Sequence, residues 1–256
     1  MAIEVFQFPC LKDNFGALVR DSASGSVASI DAPDGAAVIA AAKQKGWPLT
    51  HVLVTHHHWD HTQGLPDLKA AYPNLKVIGP AKEADRIAGL TETVNEGDIA
   101  HVGQAAARVI ETPGHTAGHV VYHFVDDSIA FCGDTLFAMG CGRVLETPLA
   151  VMWNSLAKVA ALPAATVLYC GHEYTLANAK FALTVDPDNA DLHRRAEKVA
   201  ALREAGQATL PTTMAEEWAT NPFLRVERPD IQARLGLAGA DPAAVFAEMR
   251  ARKDKF

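Results

Sequence analysis

The segment THHHWDH, residues 55–61, places three histidines and one aspartate that can bind metal within six residues. In an extended segment, side chains two residues apart lie on the same face, so His56 and His58 are predicted to hold one cation together. If the chain then turns into a helix, Asp60 and His61 project toward a second cation. Imidazole and carboxylate ligands suit zinc, iron or manganese without selecting sharply among them. The segment therefore predicts a metal-binding site.

Three later segments place further candidate ligands directly after strand-like runs. His115 lies in the turn TPGHTAGH, Asp134 follows Gly133 in IAFCGDTLF, and His172 follows a glycine in TVLYCGHEY. In sheets flanked by helices, functional residues gather in the loops beyond the strand ends. We therefore predict two ligand sets and one bridging residue: His56, His58 and His115 for the first metal, Asp60, His61 and His172 for the second, and Asp134 between them.

Composition and charge limit the classes of protein to which the chain can belong. Its 256 residues are 49% apolar and 21% charged, which is typical of a globular protein with a packed core. The formal net charge of −7 argues against broad binding to nucleic acids or anionic membranes, which requires a concentrated basic surface. No stretch approaches the roughly 18 apolar residues of a spanning helix, and the first residues do not resemble a secretory signal. We expect a cytoplasmic protein without nucleic-acid or membrane partners.

The order of strand-like and helix-like segments predicts two regions. Before residue 174, β-rich runs alternate with turns and with a helix at residues 35–45. These runs are residues 3–8, 16–20, 27–31, 51–55, 77–79, 107–111, 120–125 and 128–131. After residue 174 the pattern becomes helical, at residues 176–185, 190–205, 214–220 and 243–253. We predict an α/β fold with two facing sheets and outer helices, followed by a small helical domain, and a monomer because the chain is self-contained.

Several longer motifs resemble those of one enzyme family. THHHWDHTQG, ETPGHTAGH, FCGDTLF, GCGR and CGHEYTLANAKFA are similar to the successive motifs of glyoxalase II, the hydroxyacylglutathione hydrolase branch of the metallo-β-lactamase superfamily. Downstream, LPTTMAEEWATNPFLR and ARKDKF resemble the helical C-terminal domain of that family. The resemblance implies a four-layer αββα catalytic domain over residues 1–174 and a helical substrate-binding domain over residues 175–256. It also implies a binuclear site with the seven ligands named above.

The resemblance further implies an activity and a set of substrate contacts. The expected substrates are S-(2-hydroxyacyl)glutathione thioesters, chiefly S-D-lactoylglutathione, which are cleaved to glutathione and a 2-hydroxy acid. Two divalent ions, zinc in the first place and iron or manganese as alternatives, would hold the attacking hydroxide, with Asp60 orienting it and Asp134 as the bridge. The positions implied in glutathione binding are Arg143, Tyr174, Arg250 and Lys253.

The chain departs from the family pattern at one position, and three alternative functions remain open. The family often has an aromatic residue two positions beyond the arginine of GCGR, whereas this chain has Leu145. GCGR also resembles the persulfide dioxygenases, which use a single iron, although CGHEY and the helical region favour the hydrolase. A lactone or β-lactam hydrolase and a non-enzymatic metal-binding protein are the weaker alternatives.

Overall fold

The computed structural model describes residues 3–256, which pack into two compact units. The first unit contains the described residues up to 111 together with residues 116–133, and the second contains residues 112–115 and 134–256. Within residues 3–256, no helix is long and apolar enough to cross a membrane.

The first unit contains ten strands and three α-helices among its described residues. They are β1 (Ile3–Cys10), β2 (Asn14–Asp21), β3 (Val27–Ile30), α1 (Gly35–Lys45), β4 (His51–Leu53), α2 (Trp59–Thr62), α3 (Leu65–Ala71), β5 (Lys76–Pro80), β6 (Glu92–Val94), β7 (Ile99–Val102), β8 (Ala105–Glu111), β9 (Val120–Phe124) and β10 (Ile129–Phe131). Two 3-10 helices, Ala81–Arg86 and Val125–Asp127, complete this unit.

The first sheet places two loops of the unit at one edge. It contains β1 to β6 in chain order, with β1 to β3 antiparallel and β3 to β6 parallel. Parallel neighbours need a crossover connection, and here α1 follows β3 while α2 and α3 follow β4. The carboxyl ends of β3 and β4 therefore open at the same edge, where Asp31 and the segment 55–61 begin.

The remaining strands of the first unit form the antiparallel succession β7, β8, β9 and β10. The 3-10 helix Val125–Asp127 joins β9 and β10 into an antiparallel hairpin. The hydroxyl of Tyr122 on β9 donates to the backbone oxygen of Val54 just after β4, over 2.9 Å. This buried hydrogen bond joins the second group of strands to the first sheet.

Helices α1 and α3 pack on the first sheet because their apolar faces match its buried side chains. Val38 of α1 and Leu68 of α3 are fully buried in one cluster with Val52 and Val77 of the sheet. Burial of each such side chain contributes roughly 1.5–3 kcal/mol. Helix α1 begins at the N-cap Asp34, whose side chain accepts from the Ala37 amide, so its start is specified by a local signal.

The second unit is mainly helical within residues 112–115 and 134–256. Its elements are β11 (Leu136–Phe137), β12 (Gly140–Cys141), α4 (Leu149–Ala160), β13 (Val167–Tyr169), α5 (Thr175–Val185), α6 (Ala190–Glu204), β14 (Thr212–Thr213), α7 (Met214–Thr220), α8 (Pro229–Leu235) and α9 (Pro242–Asp254). Strands β11 and β12 form a two-stranded hairpin, and β13 pairs with β14. Helix α7 begins with a capping box in which Thr213 and Glu216 satisfy each other's backbone amides.

The sequence predicted most long elements and missed several short ones. All four helices predicted after residue 174 are present, with ends within one residue of the prediction. Helices α3, α4 and α8 were not predicted, and β14 lies in the region expected to be helical only. Strands of two residues, such as β11, β12 and β14, exist because a distant or turn-related partner pairs with them. They therefore have no periodic signal of their own.

Candidate metal centre

The segment 55–61 leaves β4 in an irregular extended conformation and enters the short helix α2 at Trp59. In this segment the Nε2 atom of His56 lies 3.1 Å from the Nδ1 atom of His58, and the His56 side chain is fully buried. The hydroxyl of Thr55 donates its only proton to Asp31, so it accepts from Nδ1–H of His56. His56 therefore presents Nε2 as the ring nitrogen that could coordinate a metal.

The carboxylate of Asp60 and the imidazole of His61, both on α2, lie beside this pair. The ring of His61 lies 4.1 Å from the ring of His56, measured between centroids, and its Nε2 atom lies 3.8 Å from Oδ2 of Asp60. The amide nitrogen Nδ2 of Asn14 donates to the Asp60 carboxylate over 3.1 Å and to its backbone oxygen over 3.2 Å. Asn14, which was not among the predicted site residues, therefore sets the orientation of the Asp60 carboxylate.

Asp31 supports two sides of the same segment and was also missed as a functional residue. Its carboxylate accepts the backbone amide of Thr55 over 2.7 Å, the Thr55 hydroxyl over 2.9 Å and Nδ1–H of His61 over 2.8 Å. A carboxylate that accepts from one ring nitrogen fixes the tautomer, so Nε2 of His61 carries the lone pair that could bind a metal. The sequence signal was an aspartate directly after the buried strand β3.

Glu83 plays a similar part on the other side of the segment. This buried side chain accepts both the backbone amide and the Nδ1–H of His57 at one oxygen. Its other oxygen accepts from the hydroxyl of Thr116 and from the backbone amide of Gly118. Glu83 therefore ties the middle of the segment 55–61 to residues 116–118 of the same unit.

In the second unit, two predicted ligands converge on a carboxylate oxygen of a third. The Nε2 atoms of His115 and His172 each lie 3.4 Å from Oδ2 of Asp134. Nδ1–H of His115 donates to the backbone oxygen of Arg143 over 2.8 Å, which directs its Nε2 toward the carboxylate. The ring of Tyr174 stacks on that of His172, with centroids 4.7 Å apart and planes 4° from parallel. All three ligands are buried.

The separations between ligand atoms in each unit fit a transition-metal site. Two atoms bonded to a tetrahedral ion at 2.0–2.1 Å lie roughly 3.3–3.4 Å apart. The His56–His58 pair at 3.1 Å and the two contacts of Asp134 at 3.4 Å are close to that spacing. All seven predicted ligands belong to groups of His and Asp that could hold a metal ion. The chain therefore has His/Asp clusters able to bind metal.

The four predicted substrate contacts all lie in the second unit, but they differ in exposure. Arg143 is exposed and Tyr174 is 37% exposed. Arg250 is buried, and its guanidinium donates to the backbone oxygen of Cys141 and to the carboxylate of Asp254. It is therefore part of the packing between α9 and β12.

Lys253 lies one turn beyond Arg250 on α9. Its ammonium donates to the backbone oxygen of Ala177 over 3.1 Å and lies 5.2 Å from the ring centres of Phe181 and Phe256. Partial burial and the positive charge of Arg250 lower the pKa of Lys253 to about 8. This lysine therefore changes its charge close to neutral pH.

The fold and the His/Asp clusters are those of the metallo-β-lactamase superfamily. The family model for the metallo-β-lactamase superfamily matches residues 16–172, and the model described as "Hydroxyacylglutathione hydrolase C-terminus" matches residues 173–256. A protein named hydroxyacylglutathione hydrolase from Mesorhizobium japonicum is 54% identical over 256 residues, which is 100% of both chains. One of the same name from Chelativorans sp. is 53% identical over 256 residues, again 100% of both chains. The chain belongs to the hydroxyacylglutathione hydrolase family.

A comparison with solved structures supports the same fold. The crystal structure of ETHE1 from Myxococcus xanthus aligns with a TM-score of 0.66 and covers 99% of this chain and 98% of that chain. The sequence identity is 24%, so this likeness shows the fold alone. The family and the α/β fold with a helical C-terminal part, both predicted from the sequence motifs, are confirmed.

Proposed function

We propose that the protein hydrolyses the thioester of S-(2-hydroxyacyl)glutathione, chiefly S-D-lactoylglutathione, to glutathione and a 2-hydroxy acid. The observation that carries this proposal is the 54% identity, over the full length of both chains, with a protein named hydroxyacylglutathione hydrolase. The groups of His and Asp that could hold a metal ion support it, because hydrolysis by a metal-activated water needs such ligands.

We further propose that the seven predicted ligands hold two divalent ions. His56, His58 and His115 would hold the first, Asp60, His61 and His172 the second, and Asp134 would bridge them. Two nitrogens each 3.4 Å from one carboxylate oxygen support the bridging role of Asp134. Zinc suits this mixture of imidazole and carboxylate, with iron and manganese as alternatives.

When bound, the two ions would lower the pKa of a coordinated water to roughly 7 and polarise the thioester carbonyl. The chain itself supplies orientation. Asp60 would direct the attacking water, and the hydrogen bond from Asn14 to its carboxylate supports this role. Hydrolysis forms a bond between the water oxygen and the carbonyl carbon and breaks the carbon–sulfur bond. A thiolate is a good leaving group, so the site needs no strong general acid.

Glutathione carries two carboxylates, and we propose that Arg143, Tyr174, Arg250 and Lys253 form its binding surface. The exposed Arg143 can offer a planar pair of donors to a carboxylate, and Lys253 adds a positive charge. Arg250 already donates to Cys141 and Asp254, so its contribution is to hold α9 against β12 and to supply charge.

Leu145 is the position at which this chain departs from the family motif, and it is 54% exposed. An aromatic residue there could add a ring or hydroxyl contact that leucine lacks. We propose that glutathione thioesters bind less tightly here than in a chain with tyrosine at this position. The variant Leu145→Tyr should therefore lower KM for S-D-lactoylglutathione with little change in kcat.

The first experiment measures the loss of thioester absorbance of S-D-lactoylglutathione with protein of known metal content. We expect fast hydrolysis that a chelator abolishes and added zinc restores. Asp134→Ala should remove both metal and turnover. No hydrolysis by protein carrying about two metal ions would refute the proposed substrate. Robust oxygen uptake with glutathione persulfide, together with a single bound iron, would favour the dioxygenase.

Three further expectations from the sequence are proposals of the same kind. We propose a domain division after residue 174, a monomeric state and a cytoplasmic location. Sedimentation equilibrium tests the monomer, since a mass near twice that of one chain would contradict it. Expression of residues 1–174 alone tests whether that part folds and binds metal without the helices.

A further inference from the structure

The hairpin of β11 and β12 connects Asp134 with Arg143. Asp134 is the proposed bridging ligand, and the backbone oxygen of Arg143 orients His115 while its side chain is proposed to bind substrate. At the tip of the hairpin, Met139 adopts a left-handed conformation with φ of 55°. Such a conformation is uncommon for a residue other than glycine and persists only where its surroundings hold it. The conformation of this hairpin is therefore relevant to the site.

Two side chains hold the backbone of the tip: Glu217 of α7 and Asn221, the residue directly after that helix. Glu217 accepts the backbone amide of Met139 over 2.8 Å. The side-chain nitrogen Nδ2 of Asn221 donates to the backbone oxygens of Phe137 and Gly140, over 3.2 and 2.9 Å. It also donates to the carboxylate of Glu217 over 2.9 Å. Both side chains are fully buried. The two residues thus bind three backbone groups of the hairpin and each other.

A third side chain contacts the tip from α5. Nδ2 of Asn178 donates to the backbone oxygen of Ala138 over 3.1 Å. The approach is so close that a Cβ atom at position 140 would lie 2.5 Å from Nδ2 of Asn178, which is why glycine is present there. The helical part of the chain therefore encloses the hairpin tip on more than one side.

The carboxylate of Glu217 is oriented by a buried partner. Its second oxygen accepts from Nη2 of Arg195 over 2.5 Å and from the hydroxyl of Thr212 over 2.8 Å. The Arg195 side chain is only 10% exposed. Hydrogen bonds to charged groups are stronger and more directional than neutral ones, so a carboxylate anchored in this way can hold the Met139 amide in place.

We propose that Glu217 and Asn221 are positioning residues for substrate binding, which act by holding the β11–β12 hairpin in the conformation that presents Arg143. This inference rests on the proposed function for its kinetic consequence, although the structural consequence is independent of it. It also accounts for the motif MAEEWATNPFLR, which indicated the family and contains both residues but no proposed ligand or substrate contact.

The test compares Glu217→Gln with Glu216→Gln. Glu216 lies next to Glu217 on α7, but its carboxylate contacts Thr212 and Thr213 and caps the helix. In Glu217→Gln, we expect amide exchange of the peptide 136–143 to become at least tenfold faster while exchange in α9 is unchanged. KM for S-D-lactoylglutathione should rise roughly tenfold with a smaller change in kcat, because a hydrogen bond to a charged group is lost. Glu216→Gln should change neither quantity.

A second variant covers the case in which Glu217→Gln fails to fold. Asn221→Ser keeps an oxygen that can accept the Phe223 amide but is too short to reach the hairpin carbonyls. The same pattern of exchange and KM is expected. Wild-type exchange in residues 136–143, or a loss of thermal stability with KM unchanged, would overturn the proposal. If the wild type does not hydrolyse the thioester, the proposed function fails, and the exchange measurement still decides this inference.

Discussion

Replacing Asp31 by asparagine should weaken metal binding without altering the backbone. Asp31 adopts a left-handed conformation with φ of 58°, which asparagine tolerates as well as aspartate does. The substitution keeps the size and shape of the side chain but removes its charge. One of its two terminal atoms becomes a donor, although all three partners of the native carboxylate, two from Thr55 and one from His61, are donors.

The expected magnitude follows from these three contacts. Because the amide oxygen cannot accept all three donors, either His61 or Thr55 faces an NH₂ group. With the NH₂ group in the place of Oδ2, His61 loses the acceptor that fixes its tautomer and the Thr55 hydroxyl loses the orientation that directs His56. With the NH₂ group in the place of Oδ1, the backbone amide of Thr55 in the segment 55–61 loses its acceptor. Loss of a hydrogen-bond partner of a metal ligand costs about 10- to 100-fold in metal affinity or activity. This corresponds to roughly 1.4–2.8 kcal/mol.

Metal affinity is measured by titrating the apoprotein with zinc in competition with a chromophoric chelator, and kcat is measured with S-D-lactoylglutathione. The matched control is Asp21→Asn. Asp21 is also a buried aspartate of the first unit, but it accepts from Ser24, Ala23 and Gln104 at the end of β2. This control should lower stability and leave metal affinity unchanged. Zinc affinity of Asp31→Asn within twofold of the wild type would refute the reasoning.

Two further substitutions and one change of pH each have an expected outcome. In Gly142→Ala, the new Cβ would lie 2.0 Å from the backbone oxygen of Asp134, so that ligand must shift and metal content and kcat should both fall at least tenfold. The value of kcat/KM should decline as pH rises through about 8, because Lys253 is charged below its lowered pKa and neutral above it. Tyr122→Phe should lower the free energy of unfolding by about 1–2 kcal/mol in urea denaturation, because the Val54 oxygen loses its buried donor.

Each of these outcomes has a control. Ala138→Gly removes a Cβ from the same hairpin as Gly142 and should retain metal, so equal metal loss in both variants would contradict the steric explanation. Lys253→Arg keeps its charge and should remove the decline above pH 8; an unchanged pH profile would show that another group titrates. Tyr72→Phe, at the partly buried edge of the first-unit core, should change stability by less than about 0.5 kcal/mol.

The short spacings within the chain allowed the candidate metal ligands to be predicted from the sequence. Residues 55–61 fold as an extended run followed by one turn of helix, as the spacing of the histidines predicts. Asp134 follows β10 and His172 follows β13 at the strand ends where they were expected. Four of the five α-helices after residue 174 were also predicted. Three of them, α5, α6 and α9, have 11 or more residues and continue long enough for the apolar period to be recognised.

The residues that orient the candidate ligands could not be predicted from local sequence patterns. Asn14 lies 46 residues from Asp60, and Asp31 lies 24 residues from Thr55, so no local pattern links the partners. The burial of Arg250 could not be predicted from the local sequence either. Its place in a basic C-terminal helix is typical of a solvated surface, but packing of α9 against β12 buries it and gives it the Cys141 oxygen as a partner.

The sequence by itself determined the family, the types of the candidate ligands and the positions of most of the longer strands and helices, because these depend on residue identity and on spacings within one element. Only the tertiary structure decided which buried carboxylates orient the ligands and which side chains hold the β11–β12 hairpin. A polar group taken out of water must find a partner, and that partner is whichever group the packing brings within hydrogen-bond distance. For Asp31, Glu83 and Glu217, that group lies on another element of the chain.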